Sequence, residues 1–383
     1  MEFTIGIAGK PNAGKSTLFS SLTETMVAIG DYPFTTVEAT RGMAYMKDKC
    51  PHTEIGRQCT PRRGKCINGI RYIPVEMMDV PGLIEGASEG KGMGNQFMDS
   101  LREASAIINL INPISDERKI LPPESIIREA QEVENEIFLW FSSRFGSDWE
   151  RFVKKISHMN IPAEEKILQK ASFFGISLKD VRRIMSETGM NDNISLWGNE
   201  EIMEFTRAVM TKIRPIKRVV NKGDLIENTD ELRKNNLRVI SADYELSILK
   251  AYRAGLIRDM ENISITDRAG ERQRNALIKI REAYEKGHIE RISSVIEDLV
   301  RKDLQKIVVY PVYDENKWTD REGNVLPDAF LMERGDTALD LAFKIHTDIG
   351  NGFIRAINGR TRMVLGKTYE LNDRDVIRIV AKS

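Results

Sequence analysis

Apolar positions in the first 112 residues come in short runs that stop at glycine or polar loops. "EFTIGIAG", "IRYIPVEMMDV" and "ASAIINLIN" have the length and near-continuous apolar character of strands buried in an α/β sheet, with a helix after the first. Pro122-Pro123 then opens a different pattern, since proline fits the first turn of a helix. Ile126, Ile127, Ala130, Val133, Ile137, Phe138 and Phe141 recur at helical spacing, with acids on the other face. A helix from Pro123 to Phe141 would be about 28 Å long. That is enough to project as an arm, while a cap packed on the sheet fits the pattern equally well. More helices are expected at 148–158, 163–173, 178–188 and 199–212. The strands "IKRVVNKGD" and "NLRVISAD" follow Pro215, so a helical block sits between two strands of one α/β domain.

Residues 244–305 read as helical again, with charges on alternating faces. After Lys306 the runs "KIVVYPVYD", "FIRAINGRTRMVL" and "DVIRIVAK" are β-like, with Asn358-Gly359 as a hairpin turn. One short helix is expected over "TALDLAFKIHTDIG", capped by Asp336 or Thr337 and stopped at Gly350. The pattern therefore predicts an α/β domain of 1–122 and 213–305, a helical insertion of 123–212, and a small terminal domain of 306–383 with four or five strands around one helix.

The chain has 383 residues, enough for two or three domains. Its 57 Lys plus Arg balance 57 Asp plus Glu, which argues against a large uniformly basic nucleic-acid surface but leaves local patches open. The apolar runs are too short to span a bilayer, and no charged leader with an apolar core precedes the first strand. Three cysteines do not make a disulfide framework. A cytoplasmic protein without a membrane partner is the expectation.

"GKPNAGKST" places Gly9, Gly14, Lys15 and Ser16 in the Gly-x-x-x-x-Gly-Lys-Ser spacing, after a strand and before a helix. Glycines let the backbone curl so that its N–H groups meet phosphate oxygens, and the helix adds its positive end. Gly9, Pro11, Asn12, Ala13, Gly14, Lys15, Ser16 and Thr17 are thus expected to cradle a nucleotide, Lys15 on the outer phosphates and Ser16 on magnesium. "NKGD" follows an apolar strand, where ligands of such sheets sit. The Asp224 carboxylate can accept two hydrogen bonds from guanine, whereas adenine lacks the ring N–H. That difference is worth about 3–6 kcal/mol, or 10²–10⁴ in favour of GTP. Asn221 would tie this loop to the phosphate loop, Lys222 would cover the base face, and Ser241-Ala242 would offer an amide to the guanine carbonyl. Asp79 and Gly82 in "DVPG" suit a loop that senses the terminal phosphate. Thr35 and Thr36 in "GDYPFTT" both suit a magnesium ligand, and spacing alone does not choose.

Taken together, "GKPNAGKST", "DYPFTT", "DVPGLIEGASEGKGMGNQF" and "NKGD" resemble the Obg superfamily of GTPases. The inserted helices and terminal segment resemble its Obg-like, YchF-type archaeal branch over nearly the whole chain. The resemblance implies a P-loop GTPase fold, with Thr36 as magnesium ligand and Asp79 holding magnesium through a water. Lys15, Thr36 and Gly82 become the expected catalytic residues. Some relatives with a degraded base motif prefer ATP, and this chain departs from them by keeping Asn221, Lys222 and Asp224. Leu83 stands where many GTPases carry a water-orienting glutamine, so slow hydrolysis is expected. Asn12 is the position used in related GTPases to hold potassium. "RGDTALDLAFKIHTDIG", "INGR" and "NDRDVIRIV" resemble the TGS domain, a ubiquitin-like β-grasp module, which implies binding of RNA or the ribosome, with the helical insert sharing in it. DNA is not an expected partner. His346 has no catalytic partner in that module.

"CPHTEIGRQCTPRRGKC" gathers Cys50, His52, Cys59 and Cys66 within one short segment, an acceptable tetrahedral zinc set at an unusual spacing. Three free thiols in a surface loop fit the same residues. The whole-chain expectation is a slow GTP-hydrolysing switch that acts on ribosome or RNA. Two alternatives stay open: an RNA- or ribosome-binding module with the nucleotide as structural ligand, and an ATPase of the same fold.

Overall fold

The computed structural model describes residues 3–23, 39–80 and 100–382. Its contacts divide the chain into two compact units, Met1–Ala44 with Glu76–Val295, and Tyr45–Val75 with Ile296–Ser383. The strands in chain order are β1 (Thr4–Ala8), β2 (Thr40–Lys49), β3 (Lys65–Ile67), β4 (Ile70–Asp79), β5 (Ala106–Ile111), β6 (Ile216–Val220) and β7 (Arg238–Val239).

The larger sheet has the order β2-β4-β1-β5-β6-β7, with β3 paired to β4. Neighbours β4, β1, β5, β6 and β7 pair in parallel. Every residue of β1 and β5 is buried, so the near-continuous apolar runs correspond to strands covered on both faces. The helix α1 (Lys15–Thr23) follows β1 directly.

The helix opened by Pro123 runs to Gly146, longer than its apolar stripe to Phe141 indicated. It lies on the sheet as a cap. Arg218 of β6 grips Glu134 with two bonds of 2.7 Å, and the Asn109 amide of β5 donates to Ala130 O at 2.9 Å. Helices Trp149–Ile156, Ala163–Ala171, Leu178–Thr188 and Asn199–Lys212 complete the block. Their aromatic core is continuous with the sheet residues Ala8, Met78 and Ile107. Within it Phe145 stacks on Phe205 at 4.8 Å and Trp149 on Trp197 at 5.7 Å.

The expected helical run of 244–305 is interrupted. Helix Ala242–Arg253 ends near Gly255, whose φ of 69° is left-handed. Turns then fill 254–270, held by Thr266 bonding Gly255 O and Leu256 O, before helices Glu271–Glu285 and Ile292–Asp298.

The second unit holds a sheet of order β11-β10-β12-β8-β9, from β8 (Lys306–Val312), β9 (Phe330–Glu333), β10 (Phe353–Asn358), β11 (Val364–Leu365) and β12 (Val376–Ala381). Central β8 and β12 are parallel, and the other pairs antiparallel. Thr337 caps the helix Ala338–Ile345 in a reciprocal box with Asp340.

Two expectations fail in this unit. The single helix is broken at His346, which is extended at φ −167°, and a second helix runs over Thr347–Asn351. Gly350 therefore stops nothing. It is small because a Cβ there would meet the Phe343 ring at 2.3 Å. The hairpin between β10 and β11 is also wider than an Asn-Gly turn. Asn358 N bonds Met363 O, the Asn358 side chain takes the amides of Arg360 and Thr361, and Arg362 is the left-handed residue. Asparagine's habit of bonding its own following backbone has outweighed the two-residue turn.

Segment 45–75 packs with this unit, which no apolar pattern announces. Thr60 N and Arg62 N bond the carbonyls of Val325 and Pro327, and β3 adds antiparallel to the start of β4. Among the described residues no helix is long and apolar enough to cross a membrane.

Candidate functional site

The loop after β1 is shaped by two glycines that nothing else replaces. Gly9 has φ 149°, and a Cβ on it would fall 2.2 Å from Leu110 O of β5. Gly14 has φ 89°, and its Cβ would fall 2.3 Å from the side-chain nitrogen of Asn221. Asn12 is exposed with φ 62°, while Pro11 and Thr17 are half-buried and Ala13 is buried. Lys15 opens α1 and is 8% exposed. Its ammonium donates back to Gly9 O at 3.1 Å and Lys10 O at 3.0 Å, closing the loop into a ring. Burial pulls its pKa down to about 8, against the opposing charge of Asp79. The first-turn amides of α1 have no partner within the helix and suit an anion.

Asp79 ends β4, directly beside Ile7 of β1 in the pairing register. Burial raises its pKa, opposed by a hydrogen bond from Ser16 and by the charge of Lys15. The Ser16 hydroxyl donates to Asp79 Oδ2 at 2.7 Å, and Asp79 Oδ1 is buried without a hydrogen-bond partner among the described residues. At one strand end, a hydroxyl and a carboxylate with an oxygen unpartnered among the described residues suit a hard cation, and the lysine beside them suits phosphate. Thr36, Gly82 and Leu83 lie outside the described residues.

Asn221 connects three strands' loops. Its backbone N–H bonds Ile111 O of β5, its side-chain N–H donates to Ala13 O at 2.8 Å, and its side-chain oxygen accepts from Ala242 N at 2.9 Å. Lys222 is left-handed at φ 54°. Gly223 follows under Val239 and Ile289, where a Cβ would lie within 2.8 Å of either. This tight turn presents Asp224, whose Oδ1 is buried and unpartnered among the described residues. Ser241 caps the helix Ala242–Arg253 by accepting from Tyr244 N at 3.2 Å. Behind the loop Arg291 grips Glu245 at 2.9 to 3.2 Å, and Glu245 also accepts from Ile292 N. Sequence reading missed this pair, whose members are 46 residues apart with no local signature.

In the second unit, the ligand atoms of Cys50, His52, Cys59 and Cys66 all lie within 4.8 Å of one another. Cys50, Cys59 and His52 are buried, so the surface-loop alternative does not hold for them. Cys50 Sγ and Cys59 Sγ are 3.7 Å apart, and Cys66 Sγ and His52 Nδ1 are 3.5 Å apart. A tetrahedral zinc with ordinary bond lengths has S···S edges of about 3.8 Å and S···N edges of about 3.6 Å. Those two separations match the edges of that ion's tetrahedron. The Cys59 thiol is held down to about 5, first by the hydrogen bond from Cys50, and further by the charges of Arg71 and His52.

Arg71 is 1% exposed and donates to Leu326 O at 3.0 Å and Pro327 O at 2.9 Å. Were the three thiols to bind a divalent ion as thiolates, the set would carry one negative charge, and this buried guanidinium would offset it. The alternation of β4 points to it, since Arg71 shares the buried face with Ile73, Val75 and Met77. Nearby Asp48 is buried between Arg301 and Arg374, at 2.7 and 2.6 Å.

The first unit has a mostly parallel sheet with a glycine loop and base-motif turn at its strand ends. Three family descriptions match it and the rest of the chain: a 50S ribosome-binding GTPase over residues 4–141, an Obg-like GTPase G4-motif domain of YGR210-like type over 219–314, and a TGS domain over 322–381. A GTP-binding protein of Methanocaldococcus jannaschii is 38% identical over 98% of both chains. A crystal structure of a GTP-binding protein from Pyrococcus horikoshii OT3 is 30% identical and superposes with a TM-score of 0.78 over the whole of each chain. The ribosome-binding ATPase YchF of Escherichia coli O157:H7 is 26% identical over 78% of this chain and 90% of its own. The chain belongs to the Obg/YchF-like family of P-loop GTP-binding proteins with a TGS domain.

Proposed function

We propose that the chain binds GTP with magnesium and hydrolyses it slowly, as a switch that acts on ribosome or RNA. One observation carries the choice of nucleotide. The Asp224 carboxylate is presented by the Asn221–Gly223 turn with a buried oxygen that has no partner among the described residues, which suits the paired N–H groups of guanine. Asn221 holds that turn to Ala13 of the phosphate loop, so base and phosphate recognition share one frame. Lys15 would meet the outer phosphates, and Ser16 with Asp79 would hold magnesium, which supplies charge neutralisation at the phosphates. Thr36 and Gly82 complete the proposed set. Asn12 is the proposed potassium ligand, and Leu83 is the reason for slow turnover.

ATP is the competing nucleotide, because relatives of about a quarter identity are named ATPases. Competition of GTP and ATP for the apo protein tests the choice, and equal affinities overturn it. Single-turnover hydrolysis with and without ribosomal subunits tests the switch. No acceleration and no nucleotide-dependent binding would favour a binding module with a structural nucleotide. Equal rates in sodium and potassium buffers would remove the potassium role.

The Cys50, His52, Cys59 and Cys66 set is proposed to hold one structural zinc, with no open position and no catalytic part. Metal analysis of protein purified without a histidine tag should give about one equivalent. Under half an equivalent would count against it.

A further inference from the structure

The helical insertion contains a cavity of about 290 Å³ lined by Arg102, Trp140, Arg144, Ser147, Lys170 and Phe173. It shares no residue with the guanine pocket or with the motifs that mark it. Four pieces of chain converge on it. Arg102 comes from the end of a helix before β5, and Trp140 and Arg144 from the last turns of helix Pro123–Gly146. Lys170 is in the last turn of helix Ala163–Ala171, and Phe173 in the turn Ser172–Phe174.

Among the described residues the lining has three cations, two aromatic rings and a hydroxyl, with no carboxylate. Arg102 and Arg144 are exposed, and neither is in an ion pair with a described residue. The Arg144 guanidinium lies 5.5 Å from the Trp140 ring, a contact that fixes its position without neutralising it. The Lys170 ammonium donates to Ser147 O, which leaves it further N–H groups. Arg214, buried next to this region, has its pKa lowered to about 10 by burial and then by the charge of Arg102. Asp148 sets an opposing charge near Lys170, so the unpaired positive charge here rests on Arg102 and Arg144. Trp140 is buried, while Phe173 is half-buried, packs on Phe174 at 4.1 Å and lines the cavity.

Cations alone would suit any anion. Cations beside an accessible aromatic ring suit a group that carries both a phosphate and a flat base. The volume falls just under the usual range of ligand pockets, about 300–1,000 Å³, which suits a single nucleotide unit. We propose that this cavity binds one nucleotide unit of a single RNA strand, its phosphate on Arg102, Arg144 and Lys170 and its base against Phe173. The inference rests on the proposed role at ribosome or RNA, and gives the helical insertion a site for that role which uses neither the guanine pocket nor the terminal domain.

The test uses the full chain and a short fluorescein-labelled oligouridine followed by anisotropy. Arg102→Gln with Arg144→Gln, both on exposed residues, should weaken binding about ten-fold or more. The slope of log affinity against log salt should fall by about 0.7 for each phosphate that the variant no longer neutralises. Phe173→Leu should weaken binding with the salt slope unchanged, which separates stacking from charge. GDP affinity of each variant serves as the folding control. A second readout is photo-cross-linking with a 4-thiouridine oligonucleotide, with the adduct mapped to the Trp140 or Phe173 peptide. Uridine monophosphate competing at the oligonucleotide's concentration would make the occupant a free nucleotide and overturn the RNA strand. An acidic peptide competing equally, unchanged binding by the double variant, or adducts elsewhere only would each overturn the site.

Discussion

The two candidate centres are made from opposite materials. The nucleotide cradle in the first unit is mostly backbone: carbonyls of Gly9, Lys10 and Ala13, amides of a helix start, and glycines that permit the curl. The cysteine centre in the second unit is made of four side chains, from the end of β2, a one-turn helix, a loop and β3. A backbone site is encoded as a contiguous string and fails when atoms are added. A side-chain site is encoded as scattered letters and fails when atoms are removed.

That contrast is sharpest at Gly14. Gly14→Val places a branched side chain where Asn221 Nδ2 lies 2.3 Å away and φ is 89°, so GDP affinity by calorimetry should fall at least about 100-fold. Retained affinity would show that the cradle tolerates added atoms and would break the comparison. Next in size, Asp224→Asn should cut the preference for GTP over ATP by about 10²–10⁴ while leaving the phosphate loop in place. If ATP affinity falls as much as GTP affinity, Asp224 is structural. In the other centre, Cys59→Ser should release zinc and lower the melting temperature of the second unit by more than about 10 °C, read by calorimetry with metal analysis. An unchanged transition would mean the four donors hold no ion. The smallest effect is expected for Arg71→Met, which removes two carbonyl bonds and the counter-charge. It should cost about 2–4 kcal/mol in denaturant unfolding and weaken zinc retention against a chelator, while GDP affinity stays unchanged.

Legibility followed the same line. The phosphate loop, the base motif, the strands before them and helices 178–188 and 199–212 were readable because their residues are neighbours in sequence. The segment 45–75 was not assigned to the second unit, because its partners at Val325 and Pro327 lie far along the chain. The cysteine set was seen, but only folding brings Cys66 to His52. Gly350 misled because glycine has two uses, ending helices and admitting a close neighbour, and here Phe343 decides. The cavity at Arg102 and Arg144 has no motif at all, since its residues come from four separate elements.

The amide of Asn221 is held at both ends, by Ala13 O and by Ala242 N. Guanosine and pyrophosphate would therefore land on a platform already assembled, so tethering them in one molecule should yield more affinity than either fragment implies alone. Cutting that crossbar with Asn221→Ala would leave each half intact and turn a single latch into two loose ones.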